Sequence, residues 1–251
     1  MSLLNKDLGT LNAGSGYKFS ATKVTSLGAS EYTLVTLVID ASASVFQFAA
    51  QLEQCIKTVF KSCDKSPRKD NLMFRVTQFS SSLKELHGFK LLSSIKEDDY
   101  TGILSIGGST ALFDAVDESV NATGTYGKQL TSMDYLVNGI VIIATDGENN
   151  CGNILDANHI KKSIESVRQS ECLESLKTVL IGVTNDDNSL NSYLSTIKDD
   201  GGLDQYVSIG KATPGKLAKL ADFISQSISS TSSALGTGAA STPINPSGFK
   251  F

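Results

Sequence analysis

The chain has no tryptophan and only four prolines, four cysteines and two histidines in 251 residues. Four cysteines in a chain this long do not make a disulfide scaffold, and none stands in a CxxC pair of the kind that binds zinc. Cys55 and Cys63 fall on or beside one predicted helix. Their separation of about 12 Å, at 1.5 Å per helical residue, is too long to bridge. Cys151 and Cys172 stand alone, so thiols in a reducing compartment are the plain expectation. A basic excess is also missing: 22 Lys and Arg face 26 Asp and Glu, for a net charge of -4. That excludes a phosphate-dominated nucleic-acid binder. No apolar run approaches the ~20 residues that span a bilayer. The first sixteen residues lack the charged-then-apolar layout of a signal peptide. The expectation is a soluble, cytoplasmic protein with no nucleic-acid and no membrane partner.

What is present is a core-forming composition, 40% hydrophobic and 19% charged, in strands alternating with helices. Thr33–Ile39 is a continuous β-branched run, as in a strand buried on both faces. Val45, Phe48, Leu52, Ile56, Val59 and Phe60 then recur at helical spacing. Leu72–Phe79 alternates as a strand, and Leu83–Leu92 is a weaker, short edge strand. A short helix follows Thr110, and residues 121–138 read as a long connection shaping one rim. Gly139–Ala144 and Thr178–Val183 are strands, and Asp156 caps the helix between them. Leu190, Leu194 and Ile197 mark a helix, and Tyr206–Ile209 a short strand. Thr213-Pro214 opens a last helix in the favoured cap-then-proline order. This alternation predicts an α/β fold with a doubly wound, mostly parallel sheet and helices on both faces. Residues 1–30 form an N-terminal arm with a candidate strand at Tyr17–Val24, and 31–230 the domain. Residues 231–251 read as a flexible Ser/Gly/Pro-rich tail. Its terminal aromatics could anchor it on another subunit, giving a homo- or hetero-oligomer.

Three turns carry oxygen-bearing side chains next to strand ends or helix starts: Asp40-Ala41-Ser42-Ala43-Ser44, Gly107-Gly108-Ser109-Thr110 and Thr145-Asp146-Gly147-Glu148-Asn149. In a parallel sheet, strand carboxyl ends share the edge where ligands sit. Asp40, Ser42, Ser44, Thr110 and Asp146 would meet there as an all-oxygen set, which suits a hard cation: Mg²⁺ first, with Mn²⁺ or Ca²⁺ as alternatives. Two carboxylates neutralise a divalent ion while hydroxyls add no charge, so the metal stays attractive to an anion.

These segments resemble the metal-ion-dependent adhesion site of von Willebrand factor type A domains, in the order D-x-S-x-S, Thr after a Gly pair, and T-D-G. The resemblance covers roughly residues 30–230. It implies a Rossmann-like sheet with one antiparallel edge strand. It further implies that Ser42, Ser44 and Thr110 touch the metal, while Asp40 and Asp146 act largely through water. A protein partner would then supply an Asp or Glu to the metal, in assembly of a multiprotein complex. The implied protein is a binding module and not an enzyme.

Two other readings stand beside it. Asp40 could be the nucleophile of a haloacid-dehalogenase-like phosphatase, but that chemistry wants a second Asp two positions on, where this chain has Ser42. A structural assembly subunit whose metal only stiffens the fold is the other. The GGST turn lacks the Lys of a phosphate-cradling loop. His87 and His159 pair with no nucleophile and read as surface or structural residues. Glu148, Asn149 and Asn150 read as a rim that could choose the partner.

Overall fold

The β-branched run Thr33–Ile39 becomes a buried strand in the middle of one sheet. The computed structural model of the chain describes residues 8–13, 16–238 and 242–249. Its strands are β1 (Leu8–Asn12), β2 (Lys18–Thr22), β3 (Glu31–Asp40), β4 (Leu72–Phe79), β5 (Leu83–Leu91), β6 (Leu136–Thr145), β7 (Ser175–Gly182) and β8 (Gln205–Ser208). Its helices are α1 (Ala49–Asp64), α2 (Leu112–Thr131), α3 (Ala157–Gln169), α4 (Asn188–Asp200) and α5 (Pro214–Thr237). The strands form one sheet in the order β1-β2-β5-β4-β3-β6-β7-β8. From β4 through β8 all neighbours are parallel. β5 runs antiparallel to β4, and β1 and β2 form an antiparallel pair at that edge.

The sheet separates two cores. On one face α1 and α5 cover Val35, Leu37, Ile140, Ile142 and Ile181. On the other, α2, α3 and α4 cover Leu34, Val38, Val141, Ile143 and Leu180. Alternate side chains of the same strand thus enter opposite cores, which is why β3 and β6 read as continuous apolar runs. No helix among the described residues is long and apolar enough to cross a membrane.

Four local expectations change. β5 is not outermost, because β2 pairs with it at Ala21↔Phe89 and β1 lies beyond. Within the arm, Leu8–Asn12 is itself a strand, held in register against β2; residues 1–7 lie outside the described ones. The stretch 121–138 is not a rim connection: α2 continues to Thr131 and β6 begins at Leu136. Its Gly and Thr residues suggest a loop, yet they serve close packing. A Cβ at Gly127 would fall 2.4 Å from Leu173 Cδ2 and 3.1 Å from Cys172 O, so a larger residue would push Leu173 out of its place against α2.

The fourth change concerns the last helix. α5 runs seven residues past the composition boundary at 230, to Thr237, and closes on left-handed Gly238. Thr231, Ser232, Ala234 and Leu235 are buried. Small hydroxyl residues can occupy this face because most donate to a carbonyl one turn back, as Ser227 does to Phe223 O at 2.8 Å and Thr231 to Ser227 O at 2.9 Å, while Ser232 Oγ accepts from Arg68 Nε at 2.9 Å. Their polar groups are satisfied within the helix or by Arg68, so a Ser/Thr-rich sequence packs without buried orphans. Of the expected tail, 242–249 lies against the same chain. The Phe249 ring meets Phe223 edge-on at 5.4 Å, and Gln205 Nε2 donates to Ile244 O at 2.7 Å. Lys250 and Phe251 lie outside the described residues.

Candidate functional site

β3 and β6 end side by side, so the turns after Asp40 and Thr145 share the carboxyl edge of the sheet. Asp40 is 1% exposed. One carboxylate oxygen accepts from the Ser42 amide at 2.8 Å and the other from Thr145 Oγ1 at 2.6 Å. Burial pushes the Asp40 carboxyl up, and those donors oppose the shift. From Asp40 the polar chain continues outward. Ser42 Oγ lies 3.1 Å from Ser44 Oγ, which in turn donates to Asp146 Oδ1 at 2.8 Å. Asp146 is pushed up to about 6, chiefly by burial; the Ser44 bond works against the shift and the Asp40 charge adds to it.

The second turn is tied to the first by backbone. Gly107 N donates to Ala41 O at 2.8 Å and Ala43 N to Gly108 O at 3.2 Å. Gly108 has φ +86°, and a Cβ there would stand 2.8 Å from Ser81 Oγ; Gly107, at φ +150°, has open space around it, so backbone strain asks for glycine at both positions and crowding only at Gly108. Thr110 is buried and joins the third turn: its amide donates to Asn150 Oδ1 at 2.7 Å, and Asn150 N returns to Thr110 O at 3.0 Å. A Cβ on Gly147 would sit 3.3 Å from Thr110 Oγ1. All five candidate residues therefore belong to one edge cluster, with Asp40, Ser42, Ser44 and Asp146 linked directly and Thr110 through the third turn.

Sequence reasoning missed why Asn149 and Asn150 are there. Each is bonded back to the site: Asn149 is half-buried over the start of α2, and Asn150, though exposed, holds the Thr110 backbone. α2 starts without a side-chain cap of its own, and Asn149 Oδ1 accepts from Phe113 N at 3.0 Å, so a distant residue supplies the cap. Asp114 in the first turn of α2 adds bonds from Asn153 N and Ile154 N, both 2.8 Å. The signal in the sequence was slight: Asn is a helix-capping residue, but here it caps from 36 positions away. Replacing both Asn149 and Asn150 by Ala is expected to lower stability by about 2 kcal/mol, one cap and one partner of a buried residue's amide. Urea unfolding measures this, and a change below about 0.5 kcal/mol, the scale of an ordinary surface substitution, would contradict the capping role.

Neither histidine belongs to the site. His87 is buried on β5 against Tyr100, and His159, on α3, lies 3.6 Å from Asp117. Among the described residues no three His, Cys, Asp or Glu side chains are grouped to hold a metal ion. The edge cluster is a different set, two carboxylates with three hydroxyls. No Lys or Arg among the described residues forms an ion pair with Asp40 or Asp146.

The sequence model of the von Willebrand factor type A domain matches residues 35–230. No curated protein matches the chain. Among solved structures, a mutant of the PilB minor pilin from Streptococcus sanguinis superposes with a TM-score of 0.61 at 14% identity, over 90% of this chain and 67% of the pilin. The SpaC pilus adhesin of Lactobacillus rhamnosus GG, in its open conformation, does so at 0.55 and 13%, over 81% of this chain and 31% of the adhesin. The chain thus spans about two thirds of the one and under a third of the other. At these identities the likeness is one of fold.

Proposed function

The chain belongs to the von Willebrand factor type A domain family, and on that premise we propose that it is a protein-interaction module. In this proposal it holds a divalent cation, Mg²⁺ foremost, at the sheet edge and takes there an Asp or Glu side chain of a partner. The supporting observation is the pairing of Asp40 and Asp146, with both carboxyls pushed up and only hydroxyl and amide donors around them. Two such acids raise each other's cost of ionisation, and a bound divalent cation relieves it. The donor set fits a hard ion, being all oxygen.

In this reading Ser42, Ser44 and Thr110 would hold the ion through their hydroxyls, and Asp40 and Asp146 would balance its charge from behind. Thr145 and the Ser42 amide keep the Asp40 carboxylate in place. Asn150 fixes the backbone of Thr110. The ion, when bound, supplies an electrophilic position for an incoming carboxylate. We propose binding and no turnover: both Asp40 oxygens already accept internal bonds, and no acid stands two residues on to serve a phosphatase. Placement in a reducing compartment such as the cytoplasm belongs to the same proposal; it is supported by four free cysteines, three of them buried.

Titrating Mg²⁺ into chelator-treated protein is expected to raise its melting temperature. Occupancy at a hundred times Kd stabilises the native state by about 2.7 kcal/mol. Ser42→Ala with Ser44→Ala, or Asp146→Ala, should remove the response and leave a folded protein, because these groups line the edge and not the core. A melting curve indifferent to millimolar Mg²⁺, Mn²⁺ and Ca²⁺ would defeat the reading.

A further inference from the structure

We infer that the partner segment taken at this edge carries a single carboxylate flanked by large apolar side chains, and that Phe46 and Leu155 are the surfaces those flanks cover. This rests on the cation-and-carboxylate reading above and goes on to specify the partner. Four large apolar side chains are well exposed among the described residues, and two of them lie on the segments that lead from the site's turns into helices: Phe46 at 78% and Leu155 at 81% exposure. The other two, Met133 and Leu136, lie at the far end, where β6 begins.

Both side chains are held outward by anchored neighbours. Phe46 belongs to the short turn Ala43–Phe48, in which Val45 and Phe48 are buried. Ser44 of the same turn is fixed on Asp146. Leu155 sits between Ile154, whose amide is bound by Asp114, and Asp156, which caps α3. Scattered exposed apolar residues are ordinary. These two differ in bracketing one polar cluster: Phe46 leads into α1 on one face of the sheet, Leu155 into α3 on the other. An extended segment crossing the edge would meet both.

Charge narrows the partner further. Asp40, Asp146 and the exposed Glu148 put three carboxylates at the edge, against a cation of charge two. One incoming carboxylate is favoured only at the ion itself, and a run of acids is repelled by the remainder. The partner chemistry is therefore apolar–acid–apolar and not polyacidic.

An array of immobilised peptides tests this, with one central Asp or Glu and flanks of Leu or Phe, of Ser or Gly, or of Asp or Glu. Peptides are probed with the full chain in Mg²⁺ and again in chelator. The apolar-flanked set should bind in Mg²⁺ alone, about tenfold or more above the Ser/Gly set, the scale of burying one large apolar side chain. The polyacidic set should be weakest. Phe46→Ser with Leu155→Ser should erase the preference for apolar flanks while the melting response to Mg²⁺ stays whole. Equal binding across flanks, or a preference that survives the double variant, overturns the inference and leaves the acid-recognition reading standing. Failure of every acidic peptide to bind in Mg²⁺ overturns both.

Discussion

Glu85→Ala should destabilise the protein by about 3–5 kcal/mol, the cost of leaving one member of a buried ion pair uncompensated. Arg75 is 0% exposed on β4, an unusual place for a guanidinium, and Glu85 on β5 is its counter-charge at 3.2 Å. Arg75 Nη2 also donates to Tyr17 Oη at 2.7 Å. Its guanidinium carbon lies 5.5 Å from the Tyr17 ring centre, 5.9 Å from Phe19 and 6.0 Å from Phe89. Glu85 in turn accepts from Ser20 N at 3.1 Å. One carboxylate thus serves the charge inside β4 and the backbone of β2. Without it, Nη1, which already lacks a partner among the described residues, is joined by a second unsatisfied group. Urea unfolding should show the loss, with a fall in melting temperature of about 10 °C at 2–4 °C per kcal/mol. A double replacement, Arg75→Met with Glu85→Leu, should recover much of it, since apolar residues can replace a buried pair at little cost. A single variant within 1 kcal/mol of the parent, the typical worth of an exposed pair, would show that the charge is in effect solvated.

The second large effect is a pH dependence centred on His87. The imidazole is 1% exposed. Its Nδ1 faces Gly88 O and its Nε2 faces Tyr100 Oη, each at 2.8 Å. A carbonyl only accepts, so Nδ1 carries the proton and Tyr100 donates to Nε2. This neutral tautomer satisfies every group. Burial is the main cause of a pKa brought down to about 4; Lys90 and Arg75 lower it further, and the Gly88 bond and Asp99 oppose them. The unfolded chain protonates near 6.5. The folded state therefore binds fewer protons between these values. Stability from His87 is complete above about 6.5 and is lost as pH falls toward 4, by about 3 kcal/mol in all. His87→Gln should show no such slope. Asp146 and Glu118, pushed up by burial to about 6 and about 7, act in the opposite direction. They are common to both proteins and cancel in the difference. If parent and variant lose stability in parallel from pH 7 to 4, His87 is not the sensor.

The fold was legible wherever a residue's role is local. Periodicity places β3, β4, β6 and β7 because their alternate residues enter two cores, and Asp156 and Thr213 announce helix starts by capping their own turns. The site was legible for a related reason: Asp40 closes one strand, Asp146 directly follows another, and strand ends share an edge. What stayed hidden depends on distant partners. Gly127 reads as a loop residue until Leu173 is seen against it. Asn149 reads as a rim until Phe113 N is found on it. Arg75, within a strand pattern, gives no hint of the Tyr17 and Glu85 that keep it dry.

The hydroxyl-lined face of α5 bears on where the domain may be cut. Residue 230 ends both the family match and the apolar periodicity, yet a chain severed there would stop mid-helix. Asn138 Nδ2 would lose its acceptor, Thr231 O, at 2.9 Å, and Arg68 Nε would lose Ser232 Oγ, also at 2.9 Å. Leu235 would leave the core with them. A piece that keeps this helix and its partners whole ends no earlier than Gly238, in sequence that composition alone would have trimmed as a spacer.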